Sequence, residues 1–275
     1  MIAIAVMLTA ALNTAKIEQL TGLKGKMDEK EGAFKVSYPR NDIGSTAAGV
    51  KLTPPLGLTA WAAFSGGGAH TMVMGDVVLT EDQVNPAMSA ALDNGLEVTA
   101  LHNHFFWDSP KVMFMLGEEE KLAAAVGKVF AMLKEKGEVP TADIDPAKGT
   151  IDAAKLDALF GKKGDFNNGV YKATWGRTTK EHGMTLGNTM GVNTWAAFAG
   201  SEDKAVVDGD FAMLESEMQD VLKALRHNNI NIVAIHSHMS GEQPRILFLH
   251  YWGIGPAEQL AKAVMAALKE TKTKS

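Results

Sequence analysis

EVTALHNHFFWDSPKVMFML (residues 97–116) and NIVAIHSHMSGEQPRILFLH (residues 231–250) are one passage written twice, 134 positions apart. Widened to Gly57–Leu116 on Gly191–His250, the match runs without a gap and holds seventeen identities in sixty positions. GLTAWAAF falls on GVNTWAAF, Gly75-Asp76 on Gly209-Asp210, and Glu81 on Glu215. A small shift carries it back to GAFKVSYPR (Gly32–Arg40) on GVYKATWGR (Gly169–Arg177), and forward to the Ala-rich runs at Leu122 and Leu260. A repeat of about 120 residues is the size of a domain, not of a solenoid unit. The expected organisation is therefore repeat domain 1 over residues 15–134, a linker over 135–154 carrying Pro140, Pro146 and Gly149, and repeat domain 2 over 155–275. Duplicated domains inherit the surface of an ancestral homodimer, so a pseudo-twofold relation is expected between them.

Within each copy the residue pattern alternates between strand and helix. AFKVSY, LTAWAAF and a hairpin-like HTMVMGDVVL are rich in β-formers. A short helix is expected near Asn85–Leu92, with Pro86 in its first turn. In the second copy Leu214, Met218, Val221, Leu222 and Leu225 recur at helical spacing. LEVTALHNH with KVMFML, and INIVAIHSH with RILFLHYW, read as strand pairs. Leu122, Val126, Val129 and Leu133, then Leu260, Val264 and Leu268, mark a closing helix in each copy. The fold class is α+β: two tandem homologous domains with mixed or antiparallel sheets and flanking helices.

Four of the eight histidines form two His-x-His pairs at the same repeat position, His102 with His104 and His236 with His238. On a strand, residues i and i+2 share a face about 6.6–6.8 Å apart, so both imidazoles can converge on one ion at roughly 2.0–2.1 Å. The second copy adds Glu242, and the returning strand brings back His250. Three imidazoles and a carboxylate suffice for a divalent metal: zinc, with iron, manganese or nickel as alternatives. The first copy keeps His102 and His104, has Asp108 for Glu242 and Leu116 for His250, and so is one ligand poorer. Against this stands the reading in which the His pairs only satisfy hydrogen bonds on half-buried strands.

Other polar positions carry less. Lys111 and Arg245 follow the turn prolines, where a cation could hold an anionic substrate or pair with Asp108 or Glu242. Arg40 and Arg177 read the same way. Asp76 and Asp210 follow glycine and read as Asx turns or caps, Glu81 and Glu215 as helix-start acids, Trp61 and Trp195 as core or interface anchors. The 15 methionines read as gap-fillers. Ser65-Gly-Gly-Gly lacks the lysine of a phosphate loop.

Composition narrows the classes. With 275 residues, 46% hydrophobic and 21% charged, the chain can bury a core. A net charge of −5 supplies no basic excess for nucleic acid or an anionic membrane surface. Without cysteine there is no disulfide, thiolate nucleophile, iron–sulfur cluster or acylated cysteine. MIAIAVMLTAAL (Met1–Leu12) is too short to span a bilayer and fits the apolar core of a signal peptide, so residues 1–14 are expected to be a signal-peptide remnant. The alternative is a buried first element.

VTALHNHFFWDSPKVMFM and IVAIHSHMSGEQPRILFLHYWG, with GDVVLTEDQVNP before the first, closely resemble the LppY/LpqO family of bacterial exported proteins, whose domain of unknown function is usually present twice per chain. The resemblance covers almost everything after about Ala15 and implies location more than chemistry: many members look like lipoproteins or secreted proteins. Two departures matter. No cysteine is present for lipid anchoring, and Leu116 stands where members commonly carry a third histidine. The His-x-His-x-x-x-Glu spacing is also similar to the first cupin metal motif, but repeats that contain helices do not fit a jelly roll and the second cupin motif is missing.

The expected function is an exported, periplasmic or secreted metal-binding protein whose better site uses His236, His238, His250 and Glu242, with Arg245 or Lys111 on an anionic small-molecule ligand. A metal-dependent hydrolase, with Glu242 and Arg245 catalytic, and a non-catalytic binding module stand level. The alternative is a pH-responsive or ligand-binding module with structural histidines. Self-association is compatible with the sequence; membrane insertion and nucleic-acid binding are not expected.

Overall fold

The computed structural model describes residues 12–67, 70–105, 107–120, 123–137 and 139–271. The N-terminal apolar run lies almost wholly outside them, as do Phe106 and Leu122. The chain divides into two compact units, Met1–Gly137 and Glu138–Ser275.

In the first unit, α1 (Thr14–Thr21) starts at Asn13, whose Oδ1 accepts from Lys16 N at 3.0 Å, and stops at the left-handed Gly22. Then come β1 (Gly25–Asp28), β2 (Ala33–Pro39), β3 (Thr59–Gly67), β4 (His70–Thr80), α2 (Glu81–Leu92), β5 (Glu97–His102), β6 (Val112–Glu120) and α3 (Ala123–Met132). The strands form an antiparallel sheet in the order β1-β2-β3-β4-β6-β5. The second unit repeats this: α4 (Ala153–Phe160), β7 (Asp165–Asn167), β8 (Val170–Gly176), β9 (Asn193–Gly200), β10 (Ala205–Leu214), α5 (Met218–His227), β11 (Asn231–His236), β12 (Ile246–Gly255) and α6 (Ala257–Lys269), in the order β7-β8-β9-β10-β12-β11. The fold is α+β.

Each sheet buries one face under helices. Phe34, Val36, Ala60, Ala62 and Phe64 alternate inward in the first unit, where Val84, Met88, Val126, Val129 and Phe130 supply the helical side. Tyr171, Ala173, Phe198, Phe211 and Tyr251 do so in the second, with Val221, Leu222, Leu225, Leu260 and Val264. The other face is covered in part by the segment between the second and third strands. In the first unit Ile43, Leu52 and Leu58 pack on Val78, Val112 and Phe114. In the second, the hairpin Thr179–Glu181/Met184–Leu186 brings Leu186 to Val192, Ala212, Ile246 and Phe248.

Several local expectations change. HTMVMGDVVL is not a hairpin but part of the single strand β4, which ladders with both β3 and β6. The helix expected from Asn85 starts at Glu81, where Thr80 N donates to Gln83 Oε1 at 3.2 Å, and Pro86 lies inside it. The segment 135–154 is tied at both ends: Gly137 N donates to Asp82 Oδ2 at 2.9 Å, and Thr150 N to Gly200 O at 2.7 Å.

Candidate functional site

Alternation along EVTALH would put Val98, Ala100 and His102 on one face. It does not, because β5 carries a bulge between Val98 and Ala100, and β11 the same irregularity between Ile232 and Ala234. One extra residue flips the parity downstream. Leu101 and Ile235 therefore enter the core, while His102 and His236 turn to the face away from the helices.

Both histidines end their strands, and their partners lie just beyond, in the turn. The pairs straddle the strand end instead of sharing a strand face, yet the rings converge. Nε2 of His102 and His104 are 3.2 Å apart, and Nε2 of His236 and His238 are 3.0 Å apart. A phenylalanine at the same repeat position backs each outer ring: His104 stacks on Phe114 at 3.4 Å and 6°, His238 on Phe248 at 3.6 Å and 10°. In the second unit His250 lies against His236, ring centroids 4.9 Å apart and 18° from parallel.

Two carboxylates join these groups, and they are not the expected ones. Asp76 faces Leu116 across the β4–β6 ladder, and Asp210 faces His250 across β10–β12. Both are mid-strand, which overturns their reading as Asx turns or caps; a glycine before an aspartate marks a close cross-strand approach here. Asp210 is buried, its Oδ1 accepting from Leu249 N at 3.2 Å. Burial pushes its carboxyl up to about 6 against the opposing pull of His250. Asp76 is raised by burial against the pull of His104 and His102, and its Oδ1 is a buried oxygen with no hydrogen-bond partner. Burial lowers His104, His236 and His238, so they hold neutral imidazoles at neutral pH. Nδ1 of His236 is likewise buried without a hydrogen-bond partner.

Glu242 and Asp108 have another task. Glu242 is 2% exposed and its Oε1 accepts from Ile246 N at 3.0 Å; Asp108 Oδ2 accepts from Val112 N at 2.9 Å. Each clasps a turn across a cis peptide, Gln243–Pro244 or Ser109–Pro110. A hydroxyl holds the same turn from the covering segment: Thr179 Oγ1 donates to Pro244 O and Ser45 Oγ to Pro110 O, both at 2.7 Å. One oxygen of each carboxylate is thus committed to its own turn. Among the described residues, no three His, Asp or Glu side chains enclose a point where an ion would sit.

Arg245 and Lys111 are exposed, and neither is ion-paired among the described residues, Glu242 and Asp108 being occupied as above. Arg177 and Arg40 are structural. Arg177 grips Glu217 at 2.6 and 2.8 Å; Arg40, 1% exposed, reaches Asp42, Gln83 and Val78 O. Trp61 and Trp195 are half-buried on the open face, not core anchors, and Lys35 and Lys172 lie 4.1 Å above their rings.

A family model described as Domain of Unknown Function (DUF1259) matches residues 15–132 and again 154–270. The chain belongs to the DUF1259 family. Each matched segment of this DUF1259 chain spans one run from first helix to last, with the His pair before the final strand. No curated protein matches the chain. Among solved structures it is similar to a trimeric bacterial microcompartment shell protein, PduB, at 11% identity over 90% of this chain and 89% of that one, with a TM-score of 0.22. A similarity that low carries no argument.

Proposed function

We propose that this protein is an exported divalent-metal-binding protein whose stronger site is built from His236, His238 and His250, with Asp210 as the carboxylate donor in place of Glu242. His102, His104 and Asp76 form the weaker counterpart, where Leu116 replaces the third imidazole.

The observation that carries this reading is the separation of the paired Nε2 atoms, 3.0 and 3.2 Å, repeated in both units. With metal–nitrogen bonds of roughly 2.0–2.1 Å, those separations correspond to bite angles of roughly 95° and 105°, between octahedral and tetrahedral values. Neutral rings and a partnerless Asp76 oxygen suit the same role. A zinc ion with an open position supplies a bound water with a pKa of about 7, which makes hydrolysis chemically available. Export is supported by the apolar run Met1–Leu12 and by the resemblance to LppY/LpqO proteins.

A second reading, a non-catalytic pH-responsive module, is favoured by the lack of any three enclosing donors among the described residues. There an Nε2–H···Nε2 bond would hold each pair.

Elemental analysis of tag-free protein equilibrated with zinc and then desalted separates the two. Stoichiometric zinc, lost in the His236→Ala/His238→Ala double variant and weakened in Asp210→Asn, supports the metal reading. Folded wild-type protein that retains no zinc, iron, manganese or nickel overturns it.

A further inference from the structure

The clasped turns of the two units share a backbone scaffold but not a lining. In the second unit the loop after His236 surrounds an open cavity of about 390 Å³, lined by Ser237, Ser240, Gln243 and Arg245, with Met239 and Glu242. Ser237 sits between the two histidines in sequence. Arg245 is exposed with no partner among the described residues, so all its N–H donors are available. The one acid in the lining, Glu242, is turned to Ile246 N. Gly241 adds no side chain of its own, and the Glu181 carboxylate lies 3.4 Å from where a Cβ there would stand. The first unit has Trp107 there, 82% exposed, and Asn103 in place of Ser237, its amide already donated to Phe105 O at 2.8 Å.

We propose that the Ser237–Arg245 loop is an oxyanion subsite. The guanidinium of Arg245 carries the charge recognition, and Ser237, Ser240 and Gln243 add neutral donors around a phosphoryl or carboxylate group of a small-molecule ligand. A planar fork of donors beside hydroxyls is the chemistry that recognises such groups. The inference rests on the metal reading only in taking the rest of that ligand to reach the His236–His238 pair; anion capture is measurable without metal.

The test uses the full chain, freed of metal with chelator, and titrates inorganic phosphate and acetate separately by calorimetry. Saturable binding of either anion, weakened at least ten-fold in Arg245→Ala and unchanged in Lys269→Ala, an exposed cation at the end of α6, supports the subsite. Phosphate alone assigns a phosphoryl group, and acetate alone a carboxylate. Circular dichroism checks that Arg245→Ala, a change at an exposed side chain, stays folded. No saturable binding of either anion, or equal binding by Arg245→Ala, overturns the proposal. Zinc content of a portion of the same protein re-equilibrated with zinc and desalted, measured without added anion, reports on the metal reading separately.

Discussion

The ring of Tyr251 fills the space above Gly209, its partner in the β10–β12 ladder: a Cβ on Gly209 would stand 2.2 Å from that ring. The hydroxyl donates to Trp195 O at 3.1 Å. In the first unit Gly117 holds the equivalent position opposite Gly75, and a cavity of about 40 Å³ remains among Trp61, Ala62, Gly75, Gly117 and Phe130. Tyr251→Phe, which deletes only the hydrogen bond, should cost about 1 kcal/mol. Tyr251→Ala should cost about 3–5 kcal/mol through the void it opens. Urea denaturation of the two variants measures both; equal losses would show that the ring contributes nothing beyond its hydroxyl.

Asp210 should destabilise the metal-free protein at neutral pH. Its folded pKa is raised to about 6, whereas the unfolded chain titrates near 3.9, so between those values the folded state holds a proton the unfolded state has released. Stability therefore falls as pH rises through that window and stays lower above it. Asp210→Asn, which copies the neutral form, should be more stable than wild type at pH 7.5, by about 2–3 kcal/mol, and level with it near pH 3.5. A variant no more stable at pH 7.5 would show that the carboxylate is compensated in place.

Glu217 and Arg177 form a buried two-pronged pair, 4% and 10% exposed. Glu217→Ala leaves a buried guanidinium charge and should cost about 3–5 kcal/mol. Glu217→Gln should cost less, because Gln83 already accepts from Arg40 at the equivalent position, at 3.0 Å. Thermal melts that rank the two variants in the opposite order would contradict this.

Gly127 lies inside α3, where helix propensity favours alanine by about 1 kcal/mol. A Cβ there would stand 2.1 Å from Leu20 O in α1. Gly127→Ala should therefore destabilise, by about 1–3 kcal/mol, with faster hydrogen exchange in α1. Stabilisation would mean that α1 can shift at no cost.

The duplication, the fold class and the paired strands around each His-x-His were legible because they rest on residue identity and periodicity, which the chain states directly. Asp210 and Asp76 were not. Their importance comes from cross-strand register, facing His250 and Leu116, and register depends on pairing between segments some forty positions apart. The spacing of Glu242 from the histidines suits a metal motif, but does not reveal that one of its oxygens also clasps its own turn through Ile246 N four residues on. The bulges that send His102 and His236 to the open face leave no mark in composition, because Thr99 and Val233 are ordinary strand residues. Helices α1 and α4 were missed because one begins at the edge of the expected signal-peptide remnant, at Thr14, and the other in the supposed linker, at Ala153. The Asn13 and Asp152 caps were the available signals.

The void beside Gly117 gives the two halves different responses to compression. Hydrostatic pressure favours the state of smaller volume, and unfolding eliminates internal empty space. The half closed by Tyr251 has less such space to surrender at that position. Under rising pressure at constant temperature, amide signals of the β4–β6 region should fade before those of β10–β12, so the order of loss reports which copy carries the tyrosine.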